Sequence, residues 1–153
     1  MSPRNYHLGV GGIDLIQEFE GLRLDAYQCS AGVWTIGYGT TRINGRPVLP
    51  GQTITRDEAV RYMIDDAAAI CEALDDLVPR DLTQNELDAL VSFCYNLGLG
   101  AFRGSSLRRA LVNDTPIDES LFTRWCKIRT KGVLQTSNGL LRRRRAEYAL
   151  FIA

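Results

Sequence analysis

No run of 18 consecutive apolar residues exists in this 153-residue chain, which excludes a membrane-spanning helix of ordinary length. The first residues, Met1 to His7, lack the basic and then apolar layout of an export signal. Histidine occurs once, as His7, and the four cysteines (Cys29, Cys71, Cys94 and Cys126) show no C-x-x-C spacing. Both shortages argue against a zinc site of the usual type, and no metal and no organic cofactor is expected. No internal repeat or low-complexity linker interrupts the chain, and its length suits one sizeable core rather than two. One domain over residues 1–153 is therefore expected, acting as a monomer and without a nucleic-acid partner.

What is present is average in amount and uneven in place. With 45% hydrophobic and 24% charged residues, the chain falls outside the disordered and collagen-like classes. The formal net charge is zero. Residues 1–100, however, hold seven basic against fourteen acidic residues, and residues 101–153 hold eleven against four. A polarity of this size favours docking between the two parts, or turns a basic face toward an anionic polymer. Cys71, Cys94 and Cys126 each lie in a segment of helical apolar periodicity, where a cysteine behaves as a small buried hydrophobe.

Apolar residues Ile13, Ile16 and Phe19, joined by Leu15, follow helical spacing, and Gly21 supplies a stop, so a first helix ends at about Glu20. From about residue 24 to 50 the chain turns to Gly, Thr, Tyr, Val and Ile around Asn44-Gly45, a strong hairpin signal, and a small antiparallel sheet is expected there. A helical region should fill about 55–152. Thr55-Arg56-Asp57-Glu58 and Thr83-Gln84-Asn85-Glu86 both fit the capping box that opens a helix. The first of these helices should run to about Leu77, before Pro79, and the second to about Asn96, before Gly98. Further helices are expected over Ser106–Val112, Glu119–Ile128 and Gly139–Phe151, the last containing the basic run Arg142 to Arg145. The class is α+β, mostly helical, with its strands segregated near the N-terminus.

Hydrolysis of a glycosidic bond needs an acid that protonates the leaving oxygen and a second group that attacks the sugar or activates water. Glu20 stands at a helix end beside Phe19 and Leu22, apolar neighbours that favour the protonated acid. Around it the segment Phe19 to Thr41 reads E-G-x-x-x-x-x-Y followed by T-I-G-x-G, with Glu20, Cys29 and Thr35 separated by eight and five residues. Two further segments are Ala89-x-x-Ser92-Phe93-x-x-Asn96-x-Gly98 and Gly139-Leu140-x-x-Arg143-Arg144-x-x-Glu147. Together these three ordered motifs, spanning roughly residues 12–152, resemble the phage-type lysozymes, in the subgroup that places cysteine where better-known members place aspartate.

The resemblance implies a lysozyme-like fold and a muramidase that cuts the β-1,4 bond between N-acetylmuramic acid and N-acetylglucosamine, with inversion. It implies Glu20 as general acid, and Thr35 on a facing strand holding water or sugar. Arg143 is implied near Glu20, and Asn96 as an amide on the cleft floor. Cys29 takes the aspartate's place, either as a polar group below the sugar or as packing alone. Tyr38 and Trp34 are candidates to stack on sugar rings, whereas Phe122 and Trp125 share a helical stripe and read as core. The implied partner is the peptidoglycan glycan strand. The implied location is the host cytoplasm until release to the wall, through a holin or as a trimmed soluble form. Two other readings stay open: a cysteine amidase or peptidase pairing Cys29 with His7, and a non-catalytic peptidoglycan binder.

Overall fold

The computed structural model describes residues 3–153. Its architecture follows from one helix, α3 (Gln84–Leu97), whose residues Leu87 to Cys94 are all buried. A helix apolar on every side belongs inside the protein, and α1 (Val10–Glu20), α2 (Arg56–Leu77) and α7 (Asn138–Phe151) pack around it. Phe93 stands at the centre, meeting Phe102, Phe122 and Trp125 edge to face at 6.0–6.2 Å between ring centres. Such edge contacts bring the positive rim of one ring to the negative face of another.

Only two polar residues interrupt the buried run, and each serves a neighbouring helix. Asp88 accepts the Gly9 amide at 2.8 Å, supplying from α3 the N-cap that α1 lacks in its own sequence. Ser92 donates to Glu147 of α7 at 2.6 Å. Both expected capping boxes are formed, at Thr55 with Glu58 and at Thr83 with Glu86. The buried state expected of Cys71, Cys94 and Cys126 also holds, and burial pushes the Cys71 thiol up to about 11.

Strands β1 (Arg23–Gln28) and β2 (Trp34–Gly37) form an antiparallel pair, and β3 (Arg42–Ile43) and β4 (Arg46–Pro47) a second. The Asn44-Gly45 turn joins β3 to β4, with both residues at positive φ (50° and 77°), as a type I′ hairpin demands. Between Arg23 and Tyr27 the β1–β2 register slips, and β1 instead engages the segment before α2, Ala26 donating to Gln52 at 2.9 Å. The sheet region is thereby tied to the start of α2.

The second half departs from expectation in three places. After α4 (Leu99–Arg103), which had no periodic signal, come α5 (Ser106–Asn113) and α6 (Ser120–Thr123). The helix expected to reach Ile128 thus stops at Thr123, and β5 (Lys127–Thr130) and β6 (Val133–Thr136) form an exposed hairpin closed at Lys131-Gly132. Strands are consequently not confined to the N-terminal region. Phe122 and Trp125 do pack in or against the core as expected, but from a short helix and the turn after it. Lastly, the acidic and basic parts of the chain hardly pair. Among the described residues, Arg143–Glu20 is the one ion pair that joins them, while Arg103, Arg109, Lys127, Arg129 and Lys131 stay exposed.

Candidate active site

Glu20 is the last residue of α1, and Gly21 follows it at φ 70°, a conformation that favours glycine and turns the chain into β1. Arg143, from the first half of α7, reaches across and places Nη1 2.6 Å from Glu20 Oε1. The register within the four-arginine run is therefore the expected one: Arg143 and Arg144 point inward, Arg142 and Arg145 outward. At this distance the guanidinium fixes one of the two side-chain oxygens of Glu20. The other, Oε2, faces Gly39, where a methyl group in place of hydrogen would lie 3.3 Å away.

Behind Arg143 lies a buried polar network. Its Nη2 donates to the Ser92 carbonyl at 3.1 Å, and its Nε lies 3.3 Å from both Ser92 Oγ and Glu147 Oε2. Arg144 donates through Nη2 to Glu147 Oε2 at 3.1 Å. Its Nε stands 2.7 Å from Glu147 Oε1 but off the N–H line, an ion contact rather than an aligned hydrogen bond. Burial pushes the Glu147 carboxyl up and the Arg144 guanidinium down, and the two arginines oppose the former shift. Two cations and two carboxylates, counting Glu20, balance in charge.

Glu20 opens on a cleft of about 300 Å³ lined also by Phe19, Asn96, Ser137, Leu140 and Arg143. Asn96, at the end of α3, has a buried side-chain oxygen with no hydrogen-bond partner. An orphaned acceptor of this kind is costly unless a ligand donor or water meets it. A larger cleft, about 380 Å³, lies between Ile43 and Gln52 of the sheet region, but Arg46 is its only ionisable residue. Chemistry therefore points to the smaller cleft.

Cys29 and Thr35 form a second group, on the β1–β2 hairpin, and do not line the Glu20 cleft. Thr35 is 4% exposed, pairs with Tyr27 across the strands and donates its hydroxyl to the Val33 carbonyl at 2.9 Å. Backbone amides at Val33 and Ala31 favour the Cys29 thiolate and hold its thiol below the ordinary range. Cys29 is half-buried, while the other three cysteines are buried. Iodoacetamide at neutral pH should consequently alkylate Cys29 at least about tenfold faster than the others, since the thiolate is the reacting form. Peptide mass mapping over a time course, repeated from pH 6 to 9, measures this; equal rates at all four would mean that the amides do not reach the sulfur.

Tyr38 corrects an expectation. Its ring is 4% exposed and belongs to the core, so it offers no face to a sugar. Its carbonyl accepts the Tyr95 hydroxyl. Trp34 is partly buried against the core. His7 shares a cleft with Cys71, Asp75 and the N-terminal segment, which Cys29 does not line, and no hydrogen bond joins His7 to Cys29 among the described residues. Gly39, Thr40, Asp66 and Tyr95 were not among the sequence candidates, and their link to Glu20 appears only in three dimensions.

A helical body with small antiparallel strands, and a helix-terminal glutamate held by an inward arginine over an open cleft, define a glycoside hydrolase of the lysozyme type. The chain belongs to the phage lysozyme family, whose model matches residues 17–147. It is 39% identical over 146 residues to an endolysin of Acyrthosiphon pisum secondary endosymbiont phage 1, covering 95% of this chain and 97% of that one. With the endolysin of Salmonella phage P22 it shares 36% identity over 148 residues, covering 95% and 98%. Among solved structures, the endolysin from Escherichia coli O157:H7 phage FAHEc1 superimposes with a TM-score of 0.89 at 39% identity, covering 99% of this chain and 96% of that chain.

Proposed function

We infer that this protein is a lytic muramidase of the phage lysozyme family, hydrolysing the glycan strands of peptidoglycan during host lysis, with Glu20 as its general acid. The observation that carries the assignment of Glu20 is its asymmetry: on a side chain that lines the cleft, Oε1 is fixed by Arg143 at 2.6 Å, while Oε2 faces the glycine at position 39 and is left without that partner. A proton on Oε2 is delivered to the glycosidic oxygen, the C1–O bond breaks, and water completes the reaction at the sugar carbon. Asn96 supplies its orphaned oxygen to a donor on the substrate, a sugar amide being the fitting partner. Glu20, Asn96 and Arg143 come from one chain, so a single copy holds the whole cleft and the enzyme can work as a monomer, released to the wall from the host cytoplasm. Among the described residues, no helix is long and apolar enough to cross a membrane.

Digestion of purified peptidoglycan tests this reading. New reducing sugar ends are expected; new amines would indicate an amidase or peptidase, and no products a binder.

Cys29 supplies an anionic or polar group on the sheet side of the substrate, where a positive charge develops on the sugar. Cys29→Asp should then keep substantial activity, because the carboxylate is of similar size and ionised at neutral pH. Cys29→Ala should lose at least about tenfold, an effect of the order expected for one electrostatic contact. If the sulfur only packs, the order reverses: alanine leaves a small cavity, whereas aspartate brings a charge into a half-buried position. Lysis rates and melting temperatures of the two variants, measured together, separate the cases.

A further inference from the structure

The chain between Ile36 and Thr40 reverses direction in three residues. Ile36 and Thr40 exchange both backbone hydrogen bonds, at 2.8 and 2.9 Å, and Gly37 and Gly39 take φ 68° and 85° at either side of Tyr38. This turn forms the wall beside Glu20: a methyl group on Gly39 would lie 3.3 Å from Glu20 Oε2 and 3.8 Å from the Tyr95 ring. A turn this short and glycine-rich has little stiffness of its own. Two helices hold it from behind. From α3, the Tyr95 hydroxyl donates to the Tyr38 carbonyl at its apex. From α2, Asp66 Oδ2 accepts the Thr40 hydroxyl at 3.0 Å, and Thr40 is 1% exposed.

We propose that Tyr95, with Asp66 acting through Thr40, is a positioning residue for catalysis: the two bonds set where the Gly39 turn stands, and so where Glu20 Oε2 meets the glycosidic oxygen. The inference rests on the reading of Glu20 as general acid. Burial and the nearby Asp66 and Glu20 carboxylates keep the Tyr95 phenol protonated well above its ordinary range, so its hydroxyl is a donor throughout the working pH range. Arg143 opposes that shift from α7. Asp66 itself is pushed up by burial and by its neighbour Asp65, while the Thr40 hydroxyl favours its ionised form. Either form of Asp66 accepts from Thr40, so the brace persists as pH changes.

A proton donor displaced by a fraction of an ångström loses rate in the transition state without losing substrate affinity. Tyr95→Phe, assayed on soluble glycan strands, is therefore expected to lower kcat about tenfold or more with KM changed less than about twofold. Thr40→Val should act in the same direction, Thr40→Ser should retain parental kcat, and Tyr95→Phe with Thr40→Val should lose less than the product of the single losses. Tyr62→Phe, which removes a hydroxyl on the α2 surface that contacts Glu58, should leave kcat unchanged. Parental kcat in Tyr95→Phe, or equal loss from Thr40→Ser and Thr40→Val, would overturn the proposal. So would a loss confined to melting temperature or KM. Reducing ends from the parent enzyme establish the muramidase reading separately, so an inactive parent and an unaffected Tyr95→Phe are distinct results.

Discussion

Exchange of Glu20 for glutamine is expected to lower the rate of lysis about 100- to 10,000-fold, the usual contribution of a positioned general acid. Glutamine keeps the length and the side-chain oxygen that accepts Arg143 Nη1, now at 2.6 Å, so the cleft keeps its shape. What it lacks is a proton to give to the leaving oxygen. The stability change should stay within about 1–2 kcal/mol, because an ion pair becomes a hydrogen bond from the still-charged guanidinium to a neutral amide, at a site partly open to solvent. Activity in a turbidity assay and a thermal melt on the same preparation check both halves of the expectation. Lysis within a few-fold of the parent would remove Glu20 from the mechanism; a large loss together with an unfolded protein would trace the effect to the network behind Arg143 instead.

Elements fixed by neighbours in sequence were legible before the structure. Thr55 with Glu58 and Thr83 with Glu86 close their capping boxes within four residues, and Asn44-Gly45 makes its turn from its own two φ angles. The hairpin of β5 and β6 was not legible for the same kind of reason. Phe122 and Trp125 lie three apart and both contact Phe93, so a helical stripe seemed to continue, although the side chains from Lys127 to Thr136 are all exposed and leave no helical face to bury. Lys131-Gly132 was the overlooked turn signal, with φ 51° and 79°.

The site divides along the same line. Glu20, Asn96 and Arg143 could be placed because motif spacing fixes their order, and the structure brings all three to one cleft. Tyr38 could not be read correctly, since its direction depends on how the 37–39 turn sits on α3: the side chain joins the core and the carbonyl accepts the Tyr95 hydroxyl. Thr40, Asp66 and Tyr95 are 26 to 55 residues apart and carry no local signal that links them. Their relation is created by packing α2 and α3 against one turn.

The second large effect concerns stability, at Glu147. Glu147 and Arg144 are fully buried and Arg143 nearly so, and Glu147 is the carboxylate both guanidiniums contact. Glu147→Ala leaves the Ser92 hydroxyl without its acceptor and Arg144 with no carboxylate inside 4 Å. Removing one partner of a buried charge pair costs about 3–5 kcal/mol, because the charge left behind keeps its desolvation penalty and loses its compensation. For a chain of this length about 2–4 °C of melting temperature corresponds to each kcal/mol, so a fall of roughly 6–20 °C is expected. Glu119→Ala provides the contrast. Its partner Arg145 is 62% exposed at the side chain, and losing that surface pair should cost no more than about 1 kcal/mol. Urea titrations of the two variants beside the parent measure the difference. Equal, small losses would mean that water reaches Arg144 after the substitution and that the interior is looser than its packing implies. A large loss for Glu147→Ala with a fall in kcat at temperatures where the variant is still folded would show, in addition, that the same carboxylate holds Arg143 in place against Glu20.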